Sequence, residues 1–131
     1  LLEELKESNK SSNVNFLGQV PNKDISYYLS QSDVLVVPSK NRYEGFPRVI
    51  LEAWACGLPI VVTNVGGVSA FVKNGYNGYL IPSHSYEHLK DAIVKIMNYS
   101  NYSQLLSGVR KSSEITTKDY WVRQFRDLGI H

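Results

Sequence analysis

Apolar residues along the chain follow two patterns. Val34-Leu35-Val36-Val37, closed by Pro38-Ser39, and Ile60-Val61-Val62-Thr63 are uninterrupted branched runs, as expected of parallel strands covered on both faces. Tyr79-Leu80-Ile81 predicts a third, shorter strand, and Val14-Asn15-Phe16-Leu17, ending at Gly18, predicts a short strand ahead of them. Between these runs the spacing turns helical. Asn22 is placed to cap a helix through about Gln31, and Gly66-Gly67 opens a short helix that Asn74-Gly75 closes. From Ser85 to Asn98 the positions Leu89, Ile93, Ile96 and Met97 form a helical stripe, and two more helices are expected over 102–114 and 118–128.

Strands alternating with helices predict an α/β, Rossmann-like three-layer domain with a parallel sheet and right-handed crossovers. Ligands of such sheets bind beyond the carboxyl ends of the strands. The loops expected there are Gly18 to Val20, Pro38 to Glu44 and Thr63 to Gly67, and each carries glycine, hydroxyl or carboxylate groups.

One segment departs from ordinary patterning. In Glu44-Gly45-Phe46-Pro47-Arg48-Val49-Ile50-Leu51-Glu52-Ala53-Trp54-Ala55-Cys56-Gly57-Leu58-Pro59, Pro47 suits the first helical position and Gly57 followed by Pro59 is a stop. The helix is therefore expected from Pro47 to Cys56, apolar nearly all round and so buried, with Glu52 as its only acid and Glu44 in the loop before it. A buried carboxylate needs a partner, which Arg48 one turn earlier or a ligand hydroxyl could supply. The start of this helix, with free N–H groups at Arg48 and Val49 and Gly45 allowing close approach, suits a phosphate.

Composition narrows the partners. Fourteen basic against twelve acidic residues give a net charge of +2 with no basic block, which argues against nucleic acid and points to a small molecule. Cys56 is the only cysteine, so no internal disulfide forms; it reads as a small core residue in a reducing compartment. His84 and His88 lie one helical turn apart without a third ligand, and no metal is expected. No apolar run is long enough to span a membrane. The opening Leu1-Leu2-Glu3-Glu4-Leu5-Lys6 reads as the tail of an amphipathic helix with no start signal, so the chain is expected to be a piece of a longer protein.

The ordered set Phe16-Leu17-Gly18-Gln19-Val20, Ser32-Asp33-Val34, Pro38-Ser39, Glu44-Gly45-Phe46, Leu51-Glu52-Ala53, Ala55-Cys56-Gly57-Leu58-Pro59 and Gly66-Gly67 resembles the nucleotide-sugar-binding, C-terminal half of the retaining GT-B glycosyltransferases of family 4. The hallmark of that family is two glutamates separated by seven residues, here Glu44 and Glu52. The resemblance implies that Glu44 contacts the donor sugar near the reacting centre and that Glu52 accepts hydrogen bonds from the ribose hydroxyls. By the same resemblance Gly45 and Phe46 offer backbone groups to the sugar, Arg48 and Val49 present N–H groups to the diphosphate, and Val20 holds the base through its backbone.

The implied donor is a nucleotide diphosphate sugar of the UDP or GDP type, the acceptor an unidentified hydroxyl, and no cofactor or metal is required. The family pattern implies a cytoplasmic enzyme of polysaccharide, glycolipid or surface glycan synthesis, any membrane contact lying in regions outside this sequence. Two departures stand out. The family's Arg and Lys that neutralise the diphosphate belong upstream, with the first βα units and the acceptor domain, so the fragment alone is expected to be inactive. Ala70 stands where the family usually has Glu. The alternatives are a non-catalytic nucleotide-sugar-binding domain and a nucleotide-sugar epimerase or phosphorylase of the same fold.

Overall fold

A computed structural model of the chain describes residues 13–39 and 48–116. Three strands form one sheet in the order β1 (Leu35–Val37), β2 (Ile60–Thr63), β3 (Gly78–Ile81), all parallel. Leu35 lies opposite Ile60 and Val37 opposite Val62, while Ile60 faces Gly78 and Thr63 faces Ile81. The helices are α1 (Asn22–Ser30), α2 (Arg48–Ala55), α3 (Tyr86–Met97) and α4 (Tyr99–Ser112), with 3-10 turns at Val68–Ala70 and Ser113–Thr116. The chain therefore has the α/β, Rossmann-like architecture that its apolar runs predict.

Alternation along each strand sorts the core into two layers. Ile60 and Val62 turn to one face, where Ile50, Ala53 and Trp54 of α2, Leu29 of α1, and Val68 and Val72 cover them. Val61 and Ile81 turn to the other, covered by Ala92 and Ile96 of α3. All four residues of β2 are buried because both of its faces and both of its edges are occupied. Helix α4 belongs to both layers, sending Leu105 into the second core and Val109 into the first. Each such side chain contributes about 1.5–3 kcal/mol when fully buried.

Sequence logic at the helix ends is visible atom by atom. Gly57 adopts φ +80°, and the N–H groups of Gly57 and Leu58 donate to Trp54 O and Ala53 O, both at 2.9 Å. This paired closure satisfies the last carbonyls of α2 and turns the chain into β2. Ser85 caps α3 by accepting from His88 N at 3.2 Å, and Asn98 caps α4 by accepting from Asn101 N at 3.2 Å.

Three expectations change. Residues 14–17 are not part of the sheet. Val14 and Leu17 are exposed, so extending that segment buries no apolar face and the hydrophobic gain that would hold a strand is absent. Strand β1 is covered on both faces as expected, Leu35 and Val37 against the first core and Val34 and Val36 against the second, and is half-buried because among the described residues it has a neighbour on one edge only. Pro21, not Asn22, occupies the N-cap of α1. Cys56 is partly buried at the margin of the first core rather than within it. The helix expected over 118–128 and Pro47 lie outside the described residues.

Candidate functional site

Helix α2 follows β1 in the chain, so its first turn stands beyond the carboxyl end of the sheet. Arg48 and Val49 are the first described residues of α2. Arg48 is exposed and Val49 half-buried against the first core. Glu52 sits one turn later, and its Oε1 lies 3.4 Å from Arg48 Nε. The side chains are 87% and 32% exposed, respectively.

These values correct the premise of a buried carboxylate. Helix α2 buries only Ile50, Ala53 and Trp54; Ala55 is exposed, and Val49, Leu51 and Glu52 lie half-buried on the flanks. Glu52 therefore keeps solvent contact, and the pair with an exposed arginine is weak, contributing about 0.3–0.5 kcal/mol. A partner this weakly held leaves the Glu52 carboxylate able to exchange it for another donor.

Val20 lies in the loop before α1 and is half-buried. With Gln19, Pro21 and Asn22 it lines a hollow of about 470 Å³. Helix α1 packs against α2, so this loop and the Arg48–Glu52 turn belong to neighbouring elements. Glu44, Gly45 and Phe46 lie outside the described residues. Among the described residues no three His, Cys, Asp or Glu side chains converge as metal ligands.

The family model described as glycosyl transferases group 1 matches residues 1–107, and so spans both glutamates. The chain belongs to the group 1 glycosyl transferases. An uncharacterised glycosyltransferase of Methanocaldococcus jannaschii is 30% identical over 120 residues, 92% of this chain and 33% of that protein. The UDP-Gal:alpha-D-GlcNAc-diphosphoundecaprenol alpha-1,3-galactosyltransferase of Escherichia coli is 41% identical over 73 residues, covering 56% of this chain and 18% of that one. Among solved structures, sucrose-phosphate synthase from Thermosynechococcus elongatus superposes with a TM-score of 0.75 at 29% identity, over 96% of this chain and 33% of its own. This group 1 domain thus spans a third or less of the length of these relatives.

One feature at the amino end of the sheet, opposite the site, escapes sequence reasoning. Asn77, 2% exposed, ties the loop between the Val68–Ala70 turn and β3 to two helices. Its Oδ1 accepts from Lys73 N at 2.8 Å, and its Nδ2 donates to Phe71 O at 3.0 Å and Ser112 Oγ at 2.8 Å. Its carbonyl accepts from Trp54 Nε1 of α2 at 3.2 Å. Ser112 in turn donates to Gly108 O at 2.8 Å, and a Cβ on Gly108 would lie 1.9 Å from Tyr76 O. A glycine inside the helical pattern of α4 was the available signal of this close approach.

Proposed function

We propose that this chain is the donor-binding part of an enzyme that transfers a glycosyl group from a nucleotide diphosphate sugar to an acceptor hydroxyl, with retention of configuration. In that reaction the bond from the anomeric carbon to the diphosphate oxygen breaks and one to the acceptor oxygen forms. The nucleoside diphosphate leaves, and the acceptor hydroxyl gives up its proton. The observation carrying this reading is the family match across residues 1–107, which encloses Glu44 and Glu52 at their seven-residue separation.

In this reading Glu52 exchanges its loose contact with Arg48 for two ribose hydroxyls. The N–H groups of Arg48 and Val49 receive the diphosphate at the positive end of the α2 dipole. Glu44, Gly45 and Phe46 address the sugar, with Glu44 nearest the reacting carbon, and Val20 holds the base through its backbone. A UDP or GDP sugar is the proposed donor class; the Escherichia coli relative, whose name specifies UDP-Gal, supports the first. A hexosyl unit and a cytoplasmic role in glycan synthesis complete the proposal. The half-buried β1 is proposed to pair with upstream βα units of the same domain, next to an acceptor-binding domain.

Two substitutions in the full-length protein test the assignment. Glu52→Ala is expected to weaken binding of donor and free nucleotide alike, by about a hundredfold or more for a lost pair of charge-assisted hydrogen bonds. Glu44→Ala is expected to lower kcat with little change in nucleotide affinity. Calorimetry with the free nucleotide and initial rates with the donor separate the two, and normal values for both variants would sink the assignment.

A further inference from the structure

At the carboxyl ends of all three strands, on the α3 side of the sheet, lies a cavity of about 340 Å³. Pro38 after β1, Thr63 ending β2 and Ile81 ending β3 form its floor, and the first turn of α3 closes it. The ribose and diphosphate contacts proposed above belong to α2, which packs on the opposite face of the sheet. The cavity is therefore a second space at the same end of the domain.

Its walls combine two chemistries. Ile81, Pro82, Tyr86 and Leu89 supply apolar surface, while Thr63, His84 and Ser85 supply hydrogen-bonding groups. Thr63 is 2% exposed; its hydroxyl donates to Val37 O at 3.4 Å, and among the described residues nothing donates to its oxygen. Ser85 Oγ is taken by His88, but the ring nitrogens of His84 have no partner among the described residues. His84 is held at φ +58°, a left-handed conformation that side-chain-bearing residues seldom adopt and that often marks a working site.

Among the described residues no carboxylate, ammonium or guanidinium group lines the space. A charged ligand would find no counter-ion among them, and the negative charge that suits the start of α3 is already supplied by Glu87 in its first turn. A purely apolar ligand would leave the buried Thr63 hydroxyl with only its long bond to Val37 O and no donor to its oxygen among the described residues. The ligand that fits is neutral, with an apolar face and an edge of hydroxyls, and a pyranose ring has both.

We propose that this cavity binds a neutral sugar ring, Thr63 and His84 holding its hydroxyls and Tyr86 and Leu89 lying against its C–H face. That this sugar is part of the acceptor or product glycan rests on the transferase reading; binding itself does not. Saturation-transfer NMR on the full-length protein, with methyl α-glucoside, methyl α-galactoside and methyl α-mannoside as probes, tests it. At least one glycoside is expected to receive saturation. The signal should fall about fivefold in Thr63→Val, as for one lost hydrogen bond, and vanish in Leu89→Trp, which fills the space. Free nucleotide should bind both variants as it binds the parent protein.

Three outcomes overturn the proposal: no glycoside binding, binding that both variants retain, or displacement of the glycoside by inorganic phosphate. Retained nucleotide binding in those cases would leave the transferase reading standing. Loss of nucleotide binding in the unmodified protein would instead count against that reading alone.

Discussion

Glu52 illustrates how local context sets a carboxylate's role. Its only observed partner among the described residues is Arg48, itself exposed, so the pair adds little to folding. Arg48→Ala is accordingly expected to change unfolding free energy by less than about 0.5 kcal/mol in urea titrations. Asn77 presents the opposite case. Its amide is buried and fully engaged, so Asn77→Ala strands the Lys73 N–H and the Phe71 carbonyl and should cost about 2–3 kcal/mol by the same measurement. A residue with no place in the proposed chemistry thus outweighs one at its centre in stability. Tyr102 carries a smaller, pH-dependent effect. Burial first, and the charge of Asp33 second, push its hydroxyl above its ordinary value near 10.0. The folded state therefore holds that proton more tightly than the unfolded chain. Its contribution is fully present below pH 10 and is lost as pH rises above it. Tyr102→Phe should flatten the alkaline arm of the stability profile and, near neutrality, cost about 1 kcal/mol for the hydrogen bond that its hydroxyl donates to Asp33 O at 2.8 Å.

At the scale of elements, what could be read in the sequence was whatever depended on neighbours in the chain. Gly57-Leu58-Pro59 announces the end of α2 because the left-handed residue and the two bonds that close the helix all lie within a few positions of each other. Ser85 announces the start of α3 for the same reason. Parallel strands were legible from Ile60 to Thr63 because burial on both faces demands unbroken apolarity. Failures came where a distant partner decides. Val14 to Leu17 has strand composition, but composition does not supply a face to cover it. Glu52 reads as buried because the helix around it is apolar nearly all round, whereas α2 turns only one side inward. The role of the Asn77 amide has no local signal, since its helical partner, Ser112, lies 35 positions away. The Glu44 to Pro47 approach to α2 lies outside the described residues, so its spacing from Glu52 is known in sequence alone. Two glycines test the local rule. Gly57→Ala should cost about 1 kcal/mol through its φ of +80°, with open space around it. Gly108→Ala should cost more, about 1–3 kcal/mol, because a methyl group would collide with the Tyr76 carbonyl. Thermal unfolding of the two variants should rank them in that order.

For the molecule as a whole, the family match covers most of this chain while the chain covers a third or less of its relatives. The proposed division of labour follows: recognition of the donor is concentrated here, and neutralisation of the diphosphate and presentation of the acceptor fall to the remainder. An isolated preparation of these 131 residues is therefore expected to show no glycosyl transfer from UDP or GDP sugars to any acceptor in a product-release assay. Turnover by that preparation would show that the chemistry needs no further domain.

Helix α4 has a consequence for the way the domain opens. Leu105 and Val109, one turn apart, are inserted on opposite sides of the sheet. Neither layer can separate from β2 without withdrawing a side chain that the same rigid helix has planted in the other. The two cores should therefore be lost together, and the amide protons of Val61 and Val62 should exchange with deuterium at one common rate, that of opening the whole domain.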